Sequence, residues 1–201
     1  MELVIIPIII FIIIAIIVTA VAIIVKTAEI TATESGKRRA GRQGEIAATN
    51  AIRSVLRDGD LLFTNVEISY DGKPAELDNV IVNSFGVFII EVKNYKGHLY
   101  GNEDDYEWTK YKEDGYGNTF EKKVKNPIKQ VKRQVYVLAK YLNYHGIRVW
   151  VDGYALLLYG NSPINSTEIL SNTDDIDRAI HTPGSNKLSG KQINFIANFI
   201  R

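Results

Sequence analysis

The hydrophobic pattern changes character along the chain. Residues 3–25 carry 21 apolar side chains in 23, with Pro7 and Thr19 the exceptions, and no period interrupts the run. Beyond it, apolar positions recur at helix or strand spacing. Ala48, Ile52 and Val55 form a stripe at three- and four-residue steps, which predicts a helix over 41–57 with Gly59 past its end. Strand patterns follow at Leu61–Tyr70, Glu76–Asn83 and Val87–Asn94, separated by turns at Asp71-Gly72 and at Gly86. A short hairpin is expected from His98–Gly101 and Tyr106–Lys112, then a loop over Glu113–Thr119. Asn126-Pro127 reads as a helix cap followed by proline at the first helical position. Ile128, Val131, Val135, Leu138, Ala139 and Leu142 give that helix its apolar stripe, up to Gly146. Arg148–Tyr159 predicts a strand, Asp174–Ile180 a short helix, and Ser189 the cap of a last helix burying Ile193, Ile196, Ala197 and Ile200. The order predicts a mixed α/β domain whose central sheet carries helices on both faces.

The first run would be about 34 Å long as a helix, the thickness of a bilayer's hydrocarbon core. A cleaved signal peptide is the competing reading, with Ala20-Val21-Ala22 as its small-residue site. Against it, only Glu2 lies between Met1 and the run, and the apolar stretch continues through Ile23, Ile24 and Val25. The expected organisation is a transmembrane helix over 3–25, a juxtamembrane linker over 26–40 and a domain over 41–201. Lys26, Lys37, Arg38, Arg39 and Arg42 follow the span and no Lys or Arg precedes it. The positive-inside rule then puts the N-terminus outside and the domain in the cytoplasm, with the lipid bilayer as a partner.

Composition narrows the chemistry. The 201 residues hold no cysteine, which excludes a disulfide scaffold, a thiol nucleophile, an iron–sulfur cluster and a cysteine zinc ribbon. His98, His145 and His181 share no ligand spacing and read as structural or surface residues. No serine lies in a Gly-x-Ser-x-Gly context, and Gly115-Tyr116-Gly117 lacks the Gly-Lys-Ser/Thr of a phosphate loop.

Carboxylates and a lysine remain, at positions where a core is expected. Glu45 precedes Ala48 and Ile52 by three and seven residues, which places it on the buried stripe of the first helix. Asp78 shares strand parity with Val80 and Val82, and Glu91 shares it with Ile89 and Lys93. Buried charges are normally paired, metal-bound or at a strand end. If Asp78 and Glu91 stand level on neighbouring strands, their repulsion favours a divalent cation, and oxygen donors suit Mg²⁺ or Mn²⁺. Lys93 would then orient a water or stabilise charge developing on a phosphate. The same three residues would equally form a structural ion-pair cluster.

Asp78 followed, after twelve intervening residues, by Glu91-Val92-Lys93 resembles the Asp-(x)n-Glu-x-Lys core of the PD-(D/E)xK nuclease superfamily. More narrowly, the chain resembles the nuclease-related domain (NERD) family. The similar words are Gly41-Arg42-Gln43-Gly44-Glu45, Glu76-Leu77-Asp78-Asn79-Val80 and Gly86-Val87-Phe88-Ile89-Ile90-Glu91-Val92-Lys93-Asn94. Gly97, Trp108 and Asn126-Pro127 with Gln130 complete them, covering about 41 to 160. Leu77 stands where the superfamily pattern has proline. The resemblance implies a restriction-endonuclease-like fold and metal-dependent cleavage of nucleic acid, with DNA the first expectation. It implies Asp78 and Glu91 as metal ligands with the Val92 carbonyl assisting, and Lys93 as the catalytic lysine. Glu45 becomes an accessory acid, and Gln130 a polar partner on the helix after the sheet. The alternative is a membrane-tethered module of the same fold that binds nucleic acid or protein without cleaving.

Charge adds a surface. The whole chain is nearly neutral, at +1, yet residues 121–133 set Lys122, Lys123, Lys125, Lys129, Lys132 and Arg133 against Glu121 alone. Tyr95, Tyr100, Trp108, Tyr111 and Tyr116 are interleaved with Lys93, Lys96, Lys110 and Lys112. Such mixtures suit phosphate contact with some stacking. Lys122, Lys123, Lys125, Lys129 and Arg133 are the candidate nucleic-acid contacts.

Overall fold

The computed structural model describes residues 16–23, 26, 38, 39, 41–182 and 187–200. The chain divides into two compact units, 1–42 and 43–201. In the first, residues 16–23 are helical and expose Ile16, Ile17, Val18, Val21 and Ile23. Among the described residues no helix is long and apolar enough to cross a membrane; most of the predicted span 3–25 lies outside them.

The second unit begins within helix α1 (residues 41–55) and is built on a mixed five-stranded sheet. Strand β1 (Leu61–Tyr70) turns through Asp71 and Gly72 into β2 (Lys73–Asn83), and β2 turns through Ser84 and Phe85 into β3 (Gly86–Lys93). Asp71 and Gly72 both take positive φ, 52° and 67°, the geometry a two-residue hairpin requires. A crossover then leads to β7 (Val151–Leu157), parallel to β3, and β8 (Ile169–Leu170) follows at the edge. The spatial order is β1-β2-β3-β7-β8.

The crossover holds a three-stranded antiparallel sheet, β4 (His98–Tyr100), β5 (Glu107–Glu113) and β6 (Thr119–Lys125), and then helix α2 (Pro127–Tyr144). The sequence pattern predicts a two-stranded hairpin here. Strand β6 was illegible because its apolar positions are only Phe120 and Val124, set among charged and polar residues. Asn126 caps α2 by accepting the Ile128 N–H, with Pro127 in the first turn. Helix α3 (Thr173–His181) is capped by Asn172, and α4 (Gly190–Ala197) by Ser189 in a capping box with Gln192.

Two apolar clusters sandwich the main sheet. On one side Ala48 and Ile52 of α1 and Ile176 and Ile180 of α3 meet Ile81, Phe88 and Ile90. On the other, Val137, Leu138 and Leu142 of α2 and Ile193 and Ile196 of α4 meet Val80, Val82, Val87 and Ile89. This is the mixed α/β layering the pattern predicts. Helix α2 lies close on β7 because Gly153 has no side chain: a Cβ there would stand 2.4 Å from Val131 Cγ1 and 2.5 Å from Val135 Cγ2. That close contact sets the height of α2 over the sheet.

Candidate active site

The site forms where the β2–β3 ladder ends. The last paired residues are Asn79 and Ile90, so Asp78 and Glu91 occupy the next facing positions. Asn79 is buried; its Nδ2 donates to the Ile90 carbonyl (3.4 Å) and its Oδ1 accepts from Thr49 of α1 (3.1 Å). The end of the ladder is thereby tied to the first helix.

Strand parity misplaces Asp78. Ala75 and Leu77 share the α2-side cluster with Val80 and Val82, so the alternation of β2 slips by one residue at 78–79. Strand β1 slips opposite: Phe63 and Val66 both pack toward that cluster, and Asn65 between them has φ 54°. Asp78 therefore does not simply share the face of Val80. Its Oδ2 turns along the sheet and accepts the Val92 N–H at 2.7 Å, in place of a ladder carbonyl. Burial, then the charge of Glu91, push the Asp78 carboxyl up from 3.8 to about 6, against the Val92 hydrogen bond and Lys93, which pull it down.

Glu91 is 3% exposed and fully engaged. Oε1 accepts from Lys93 Nζ (2.6 Å) and Gln130 Nε2 (2.5 Å), and Oε2 accepts from Gln134 Nε2 (2.6 Å). Burial lowers the Lys93 ammonium's affinity for its proton, but the charge and hydrogen bond of Glu91, helped by Tyr95 and Asp78, outweigh it and hold the group above its ordinary value. Lys93 thus stays cationic at neutral pH.

The structure thus brings together Asp78, Glu91, Lys93 and Gln130, with Val92 contributing its N–H to Asp78. Glu45 needs correction. The buried positions of α1 are Gly44, Ala48 and Ile52, four residues apart, and Glu45 is exposed one residue off that stripe. It still lies near enough to Asp78 to add to the charge that raises its carboxyl. Gly44 occupies the buried position because a Cβ there would crowd Asn94 and Leu158, at 3.0 to 3.1 Å.

Gln134 was missed. It is 2% exposed, holds Glu91, and also donates to the Glu76 carbonyl at 2.8 Å. The signal was present: Gln134 sits three residues after Val131 and four before Leu138, a polar side chain in an apolar stripe.

The candidate nucleic-acid lysines divide. Lys122, Lys123 and Lys125 lie exposed on β6, whereas Lys129 pairs with Asp104 (3.4 Å) and Arg133 donates to the Pro74 carbonyl (3.0 Å). Lys132 pairs with Glu103 and Glu168. Two of the histidines have structural roles: His181 is buried between Asp60 and Asp177, and His145 packs against Tyr141, Tyr144 and Phe199.

Among the described residues, no group of three or more acidic or histidine side chains is gathered tightly enough to hold an ion unaided. Mg²⁺ is commonly bound through one or two carboxylates with waters and substrate phosphates completing its shell, and of the two carboxylates here Glu91 has both oxygens in hydrogen bonds. Asp78 uses only Oδ2 in its hydrogen bond to Val92. Burial and then the charge of Glu91 raise its carboxyl, and a cation there would offset both.

The nuclease-related domain (NERD) pattern matches residues 40–158, more than half of the chain, and the chain belongs to that family. Membership implies a nuclease-like function. An uncharacterized protein of Bacillus anthracis is 27% identical over 90 residues, covering 43% of this chain and 42% of that protein. No solved structure matches.

Proposed function

We propose that the domain is a divalent-metal-dependent phosphodiesterase acting on nucleic acid, with DNA as the first substrate to test. One observation carries the reading: two neighbouring strands set Asp78 and Glu91 at facing positions beyond the last ladder pair, with Lys93 bonded to Glu91. Asp78 and Glu91, with the Val92 carbonyl beside them, would hold the cation. When bound, a divalent cation there would supply positive charge at the scissile phosphate and Lewis acidity toward a water. Lys93, cationic and partly buried, stabilises the charge developing on the phosphate or orients the water. Gln130 and Gln134 fix the plane of the Glu91 carboxylate, and Glu45 adds negative potential at the rim.

The long apolar run is what supports a membrane anchor. The basic residues that follow favour an outside N-terminus and a cytoplasmic domain. Alkaline extraction of membranes and protease protection on intact and opened cells test both statements. Release of the chain by alkali would sink the anchor.

The saturation of both Glu91 oxygens favours a second reading, a tethered module that binds without cleaving. The full chain, incubated with plasmid and single-stranded DNA in Mg²⁺, Mn²⁺ or EDTA, separates the two. Glu91→Ala and Lys93→Ala should abolish cleavage, and cleavage persisting in both would refute the mechanism. Binding without cleavage by the unaltered chain under all conditions would establish the second reading.

A further inference from the structure

Strand alternation sorts the charges of the β4–β5–β6 sheet onto separate faces. Leu99, Trp108, Lys110, Lys112, Phe120, Lys122 and Val124 share one face, by the pairings Leu99–Lys110, Trp108–Val124, Lys110–Lys122 and Lys112–Phe120. Glu107, Glu113 and Glu121 all fall on the other, with Lys123 and Lys125. The first face is buried at one end, where Leu99, Trp108 and Val124 pack on Ile128 and Leu157. At its other end it is cationic and aromatic, with Phe120 57% exposed.

Lys110 and Lys122 stand directly opposite, a like-charge cross-strand pair that works against folding. Lys112 lies about 7 Å further along β5. Among the described residues no carboxylate forms an ion pair with any of the three. Their crowding shows in Lys110, whose ammonium is pushed below its ordinary value by burial and then by Lys122 and Lys112. The face also leads to the candidate site: Lys110 Nζ lies 5.9 Å from the centre of the Tyr95 ring, and the Tyr95 hydroxyl in turn feels the charges of Lys93 and Glu91.

We propose that Lys110, Lys112, Lys122 and Phe120 form the surface that binds a single strand of nucleic acid and leads it toward Asp78, Glu91 and Lys93. The proposal rests on the phosphodiesterase reading of that cluster. Clustered lysines without acidic partners contact neighbouring phosphates, and the exposed ring of Phe120, opposite Lys112 and beside Lys122 on the same face, offers a base a stacking platform. A duplex, whose bases are stacked on one another, would make no use of Phe120.

The test is fluorescence anisotropy of a labelled single-stranded oligodeoxynucleotide titrated with the full chain in EDTA. Lys110→Ala/Lys112→Ala/Lys122→Ala should weaken binding about 10- to 100-fold at physiological salt and reduce the slope of log K against log salt by about 2. Phe120→Ala should weaken it about tenfold with the slope unchanged. Lys73→Ala/Lys140→Ala/Arg148→Ala removes the same charge elsewhere and should cost less than threefold. Replacing the three lysines by arginine should preserve binding. Equal losses from the two alanine triples, no effect of Phe120→Ala, or binding of a duplex as tight as of the single strand would each overturn the proposal. Phe120 is exposed, so its variant keeps the test decisive even if the lysine triple unfolds. Face-dependent binding without cleavage in Mg²⁺ or Mn²⁺ would keep the surface and sink the phosphodiesterase reading. Cleavage of single strands unaffected by the lysine triple would sink the surface alone.

Discussion

Asp78 is held in a place that disfavours its charge, and removing that charge should stabilise the protein. Burial and Glu91 raise its carboxyl from 3.8 to about 6, so the folded state binds the proton more tightly than the unfolded chain does. The sign follows from linkage. The stabilisation is fully present below pH 3.8 and is lost as pH rises through about 6. Above pH 6 the folded protein carries the whole penalty, about 3 kcal/mol at 1.36 kcal/mol per pH unit, and about 2 kcal/mol after allowance for partial access of water. Asp78→Asn keeps the shape and an oxygen able to accept the Val92 N–H. The variant should therefore be more stable than the parent by about 2 kcal/mol at pH 8, or about 4–8 °C in melting temperature for a unit of this size. The gain should shrink through pH 6 and vanish near pH 4. Thermal melts of the two full chains, followed by circular dichroism in EDTA at pH 4, 6 and 8, measure this. Equal stability at pH 8, or a variant less stable there, would refute the claim that Asp78 sits against the field of its neighbours.

The neighbouring carboxylate should behave in the opposite way. Glu91→Gln leaves Lys93 without its counter-charge beside two glutamine amides, so it should lose about 2–4 kcal/mol in the same melts. Gln134→Leu removes the donor to Glu91 and to the Glu76 carbonyl and should lower stability by about 1–3 kcal/mol, read from denaturant midpoints. His181→Ala strips the buried Asp60 carboxylate of a 2.8 Å partner and uncouples it from Asp177; a loss of about 2–4 kcal/mol is expected at neutral pH, and unchanged stability would argue against a structural role.

Much of the site was legible along the chain, for a local reason. Glu91 and Lys93 are two residues apart on one strand, so a single periodicity fixes their common face. Asp78 could be placed opposite Glu91 only if the β2–β3 turn were tight, and the turn through Ser84 and Phe85 makes it so. Parity failed at Asp78 itself, because the slip in β2 depends on the positive φ of Asn65 in the strand beside it. Glu45 failed for a related reason. Three- and four-residue spacing defines a broad arc of a helix, and the tight approach of Gly44 to Asn94 and Leu158 decides which part of it is buried. Strand β6 went unread because its charged positions mask the alternation until β5 pairs with it.

The sequence alone determined most of the elements, the absence of thiol chemistry, and the family resemblance carried by words that include Asp78, Glu91 and Lys93. Each follows from residue type and local period, which need no partner. Tertiary structure decided what the set is bonded to: α2, brought down onto β7 at Gly153, delivers Gln130 and Gln134 to Glu91 from some 40 residues away. It likewise turned the +5 stretch over 121–133, which reads as one basic patch, into separate surfaces. Strand alternation sends Lys122 to one face of β6 and Lys123 to the other, while α2 commits Lys129, Lys132 and Arg133 to partners of their own. A run of charge along the chain is a quantity of the chain, whereas a field at a substrate depends on which side of each element those charges face.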